Sequence, residues 1–205
     1  MISALFALNN GAAARDDDSE ESGFSKDTYG KTQNRHSRVP NTKRLSPKQA
    51  EALYQSNWRQ LAKSYSRSGD KTARDYTNWR RANSAPYPSF SHGRRFLNNY
   101  LNPKAKAYLN YKGASILPTG AVIAKDSFAV GENGEFIAGP LFVMEKMPPG
   151  FNYVSGNWRY TTIAPDGALV GRTNGKNSGG MKFCISCHLA AEKNDHLFFF
   201  PKAYR

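Results

Sequence analysis

The sequence predicts an α+β fold, an antiparallel β-sheet with flanking helices, on three observations. Ser46-Pro47 is a helix-start signal, a capping hydroxyl followed by proline at the first helical position, and Tyr54, Trp58, Leu61 and Tyr65 follow at helical spacing. From Phe96 onward the period changes to short β-branched or aromatic runs of strand length. Turn residues, not helical stretches, separate those runs, which reads as antiparallel pairing and not as alternating βαβ units.

In chain order, residues 1–14 read as a signal-peptide-like remnant. Residues 2–8 form a short apolar core and Ala12-Ala13-Ala14 supplies small residues suited to cleavage; the positive n-region is missing, so a truncated start is expected. Residues 15–45 read as a disordered basic linker, charged, rich in Ser, Asn and Asp, and too poor in aliphatics to offset the entropy of ordering. Residues 46–75 read as an amphipathic helical extension whose helix ends at Ser68-Gly69 and packs one face on the main domain, residues 76–205. A second helical piece is expected over 74–82, stopped by Ala85-Pro86-Tyr87-Pro88, and a third over 102–111. Strands are expected over 121–128, 141–147 and 158–163. Gly131-Glu132-Asn133-Gly134, Pro148-Pro149-Gly150 and Pro165-Asp166-Gly167 supply the turns.

Hydrophobic residues make up 39% of the 205, and the formal net charge is +13. Lys26, Lys31, Arg35, Arg38, Lys43, Arg44 and Lys48 string along the polar stretch, either as a solvated tail or as a docking arm for an acidic electron-transfer partner. The aromatics lie in strand-like runs instead of interleaving with these residues, and no reader motif accompanies the charge, so nucleic acid is not the expected partner. No run approaches the length of a transmembrane helix.

The chain's two cysteines fall in Cys184-Ile185-Ser186-Cys187-His188, which rules out a disulfide framework. In such a run two thiols add across the two vinyl groups of a haem, and the following imidazole lies under the iron as proximal ligand. A zinc site would want two such pairs, and a thioredoxin-like pair would sit beside a βαβ pattern. The reading is therefore one covalent haem c, held by Cys184 and Cys187 with His188 on the iron. Bacteria attach haem in this way outside the cytoplasm, which agrees with the signal-like start on a periplasmic or secreted protein. Met144, Met147, Met181, His92 and His196 are candidates for the other axial position; methionine there would suit electron transfer, and an open position would let small molecules bind and react.

Several ordered blocks, Pro118-Thr119-Gly120-Ala121-Val122-Ile123-Ala124-Lys125-Asp126, Gly139-Pro140-Leu141-Phe142-Val143-Met144-Glu145-Lys146-Met147, Asn157-Trp158-Arg159-Tyr160, Pro165-Asp166-Gly167 and the closing residues 183–195, resemble the cytochrome P-460 family over about residues 76–205. The resemblance implies an antiparallel sheet with helices, often in a dimer, and a C-terminal haem segment with an open distal site. It also implies that Lys125, on the strand after the Pro-x-Gly turn, bonds to the haem macrocycle, as a lysine does in the enzymatic members. Relatives of the same fold without that bond bind nitric oxide or carbon monoxide, so the fold alone leaves the activity open. Glu145 and Asp126 are the carboxylates in the matched blocks that a bound nitrogen ligand could use as proton acceptor, and His92, Arg94 and Arg95 are candidates for distal hydrogen bonds.

The expected function is a periplasmic monohaem cytochrome that oxidises hydroxylamine or nitric oxide and hands the electrons to a redox partner. The alternative is a non-enzymatic nitric oxide- or carbon monoxide-binding or electron-transfer cytochrome, or a subunit of a larger redox assembly.

Overall fold

The structure, a computed structural model, describes residues 38–110 and 116–205, so the signal-like start and most of the basic linker lie outside the described residues. Helix α1 (Pro47–Ser66) begins where its capping chemistry places it: the Ser46 hydroxyl accepts from the Gln49 N–H, and the Gln49 side chain accepts from the Ser46 N–H at 3.0 Å. Tyr54, Leu61 and Tyr65 are buried along one face of it. Helix α2 (Lys71–Asp75) follows, capped by Asp70, whose carboxylate accepts from the N–H groups of Thr72 and Ala73.

The helix expected over 74–82 is cut short. After α2 a 3₁₀ turn, Tyr76–Asn78, drives Tyr76 into the core against Tyr65 and Tyr100, and the chain is extended by Arg80–Arg81. Burial of one large ring and strand pairing outweigh the local helical propensity. The helix expected over 102–111 forms as a 3₁₀ helix, Pro103–Leu109; the Asn102 side-chain Oδ1 caps it by accepting from the Ala105 N–H and also accepts from the Val122 N–H, tying it to the sheet.

Among the described residues eight strands make one antiparallel sheet: β1 (Arg80–Arg81), β2 (Tyr87–Ser89), β3 (Arg95–Leu101), β4 (Val122–Val130), β5 (Phe136–Ala138), β6 (Leu141–Lys146), β7 (Trp158–Ile163) and β8 (Leu169–Arg172). Their order in space is β1-β3-β4-β6-β7-β8, with β2 added to β3 and β5 to β4. Alternation along each strand sends successive side chains to opposite faces. Leu97, Leu101, Ile123, Phe142, Met144, Trp158 and Tyr160 fill the front face, under the 3₁₀ helix and the C-terminal segment. Tyr100, Val122, Ala124, Leu141, Val143 and Ile163 fill the back face, against Leu61 and Tyr65 of α1 and Tyr76. Among the described residues no helix is long and apolar enough to cross a membrane.

Candidate functional site

Helix α3 (Lys182–Leu189) carries Cys184, Cys187 and His188 at positions i, i+3 and i+4, so its pitch puts both thiols and the imidazole on one side. That side closes a cavity of about 360 Å³ over the front face. Lys125 of β4, Phe142 and Met144 of β6, and Tyr160 and Thr162 of β7 form its floor; His92 and Phe90, after β2, and residues 198–201 form its walls.

His188 is buried, and its Nδ1 lies 2.7 Å from the carbonyl oxygen of His196. Nδ1 is then the donor, which fixes the ring's orientation and makes Nε2 the nitrogen that could take a metal. The accepting carbonyl sits in a left-handed turn, with φ of 54° at Asp195 and 60° at His196. Three contacts hold the turn. The Asp195 carboxylate pairs with Lys146 and accepts from the Leu117 N–H at 2.8 Å, and the Trp158 indole donates to the Asp195 carbonyl at 2.8 Å. Gly156 is required beside it twice over: its φ is +60°, and a Cβ there would lie 2.4 Å from the His196 ring.

Lys125 is buried on the cavity floor. Burial pushes its amine down to about 8, partly opposed by the nearby Cys187 and Cys184. The same burial, with Cys187 alongside, pushes the Cys184 thiol up to about 12. The Tyr160 hydroxyl, also beside the two thiols, is buried with no hydrogen-bond partner among the described residues. No described residue lining the cavity is a carboxylate.

The remaining candidates are separated from this site. Asp126 follows Lys125 and therefore faces the back, where it accepts from Tyr54 at 2.5 Å, Asn98 at 3.0 Å and Tyr76 at 3.2 Å. Glu145 also lies outside the cavity: it stands opposite Val122 of the back face in the β4–β6 pairing, and it is paired with Arg159. Alternation makes both placements follow once Lys125 and Met144 face forward, so neither of the two expected carboxylates lines the cavity. Arg94 and Arg95 line a neighbouring cleft instead of the cavity, Met147 lies beyond the cavity and Met181 is fully buried core. His92 and Met144 do line it. His196 acts through its backbone carbonyl, a role with no side-chain signature that a reading of residue types could find.

The described residues hold no group of three or more His, Cys, Asp or Glu arranged to hold a bare metal ion. The donor set instead suits a flat macrocycle: two thiols and one oriented imidazole on one helix face, a floor and walls rich in aromatic rings, and a clear space between them. No curated protein matches the chain. The family model Cytochrome P460 matches residues 73–199, a span that holds the whole sheet from β1 to β8 together with Lys125, Cys184, Cys187 and His188. With this site on this sheet and that match over more than half its length, the chain belongs to the haem-binding cytochrome P460 family.

Proposed function

We propose that the protein is a periplasmic or secreted cytochrome with one haem c, joined to Cys184 and Cys187 with His188 as proximal ligand, that oxidises hydroxylamine or nitric oxide and passes the electrons on. The observation that supports oxidation over simple binding is Lys125. Its amine is buried beside both thiols, without a carboxylate in the cavity to pair it, and is partly neutral near pH 8. A neutral amine so placed is the nucleophile that a bond to the macrocycle requires. Such a bond would release one proton from Lys125 Nζ, one proton from a ring carbon and two electrons, so maturation would consume a two-electron oxidant of the peroxide class.

A bound haem would supply an iron for a nitrogen ligand and a sink for its electrons. The protein's own groups do the rest. His188 is held for the iron by the His196 carbonyl. The rings of Phe142 and Phe198 give the cavity an apolar lining. His92 packs edge-on against Phe142, with ring centroids 5.0 Å apart, and its Nδ1 meets the hydroxyls of Ser89 at 2.9 Å and Ser91 at 3.2 Å. That imidazole, backed by hydroxyls that open to solvent, is placed to take a proton from the ligand and deliver it outward.

A second reading, nitric oxide or carbon monoxide binding without turnover, is favoured by the aromatic wall and the absence of a carboxylate among the described lining residues. Anaerobic incubation of the haem-loaded protein with hydroxylamine and an oxidising dye separates the two. The proposal expects dye reduction that stops in Lys125→Arg. Stoichiometric nitric oxide binding with no hydroxylamine consumed would contradict it and leave the second reading standing.

A further inference from the structure

We propose that the cleft formed where residues 42–45 cross the loop between β2 and β3 is a docking site for the acidic face of a protein electron acceptor. The part that concerns electron transfer rests on the haem reading above; the part that concerns binding of acidic polypeptide does not.

The crossing segment lies ahead of the family-matched residues, and it is fixed in place. The Lys43 N–H donates to the Val130 carbonyl at 2.9 Å, the Val39 N–H donates to the Gly93 carbonyl at 3.4 Å, and the Arg44 guanidinium lies 6.0 Å from the centre of the Phe90 ring. The end of the basic linker is thus laid against the loop that also walls the haem cavity, not left in solvent. The cleft it makes is about 280 Å³, and Lys43, Arg44, Arg94 and Arg95 line it with no carboxylate among the described lining residues. A left-handed backbone at Gly93 (φ 73°) and Arg94 (φ 60°) turns Arg94 outward beside them.

Pro88, Ser89 and Phe90 line both the cleft and the cavity, so whatever seats in the cleft stands one loop's thickness from the haem site. Phe90 is 72% exposed at that shared wall, the largest exposure of an aromatic ring near the site. One exposed ring beside three exposed cations, Lys43, Arg44 and Arg94, is the composition of a small transient interface, in which apolar contact gives adhesion and charge gives orientation and rate. An acidic partner fits the local charge and the net charge of +13 alike.

The test uses the full haem-loaded chain and two probes. The first is fluorescent poly-L-glutamate, followed by anisotropy. Lys43→Glu with Arg44→Glu and Arg94→Glu, all exposed positions, should weaken binding about ten-fold or more, and salt should weaken it in the wild type. The same charge change at exposed residues lining neither cavity, Lys63→Glu with Lys106→Glu and Lys176→Glu, should weaken it by less than about three-fold. The second probe is oxidation of the dithionite-reduced protein, in which one electron passes from iron(II) to ferricyanide, giving iron(III) and ferrocyanide. The cleft variant should slow this reaction and speed oxidation by tris(phenanthroline)cobalt(III), while the remote variant changes both far less.

Equal losses in the two variants would show only the charge of the whole molecule and would overturn the proposal. Loss of polyglutamate binding with unchanged oxidation rates would overturn the electron-acceptor assignment. If binding appears only after Asp16, Asp17, Asp18, Glu20 and Glu21 are changed to amides, the occupant is the chain's own acidic run and the partner assignment fails. A chain that carries no haem but loses polyglutamate binding in the cleft variant alone would sink the haem reading and keep the acid-binding one.

Discussion

Lys125 and Asp126 are neighbours on one strand, both buried and both ionisable, and the sheet sends them to opposite regions with opposite logic. On the back face Asp126 is saturated: Tyr54, Asn98 and Tyr76 donate to it, and Tyr54 also meets Tyr100 at 2.6 Å. On the front face the Lys125 amine is buried in a cavity whose described lining residues include no carboxylate, and the Tyr160 hydroxyl near the same thiols has no hydrogen-bond partner among the described residues. A buried polar group left unpaired costs about 1–3 kcal/mol, a penalty that the Tyr160 hydroxyl carries on the front face and the Asp126 carboxylate avoids on the back. Asp126 thus helps to hold the fold, while Lys125 and Tyr160 line the cavity that α3 closes.

The sharpest way to break this contrast is to truncate each member of the pair. Asp126→Ala strands three donors in the core and should destabilise the protein by about 3 kcal/mol, read as the shift of a urea unfolding midpoint. A similar magnitude should appear in the pH profile. Burial pushes the Asp126 carboxyl up to about 6 even though its three donors act to lower it. A folded value above the ordinary 3.8 favours the protonated form, so the contribution is full below about pH 4 and is lost as pH rises through 6. Wild type minus Asp126→Asn should therefore lose about 3 kcal/mol of stability between pH 4 and pH 7. A flat difference would mean that the donors, not burial, set this carboxyl.

Lys125→Met should act in the reverse sense. It removes a buried amine that no described carboxylate pairs and should stabilise the haem-free protein by about 2 kcal/mol while changing the spectrum of the loaded one. The smallest effect is expected at Glu145→Gln. Its pair with Arg159 is about 28–29% exposed, so the change should cost less than about 1 kcal/mol and leave the haem spectrum and hydroxylamine consumption as they were. Loss of turnover there would return Glu145 to the site.

The parts of this arrangement that were legible in the sequence are those encoded locally. Ser46-Pro47 and the ring spacing after it gave α1 to within a few residues, and the strand runs at 141–147 and 158–163 became β6 and β7. Strands β2, β5 and β8 were not legible because three or four residues are too few to show a period. Within β3, Asn98 and Asn99 interrupt the apolar run; each is buried only because a partner across the fold, Asp126 or Tyr108, satisfies it. The Cys-x-x-Cys-His run marked the centre of the site at once. Alternation required Lys125 and Asp126 to part, but which of them faced α3 depended on long-range pairing that residue order does not reveal. The His196 carbonyl and the seating of residues 38–45 on the cavity's loop are backbone facts of the folded chain and have no residue pattern of their own.

The most direct test is peptide mapping by mass spectrometry of denatured protein made in an export-competent host. One haem joined to the Cys184–Cys187 peptide, with a second covalent link to the peptide that contains Lys125, is the predicted result. A chain that carries no haem on those cysteines would contradict the central claim, and a haem held by the thioethers with Lys125 free would remove the support for oxidation and leave gas binding.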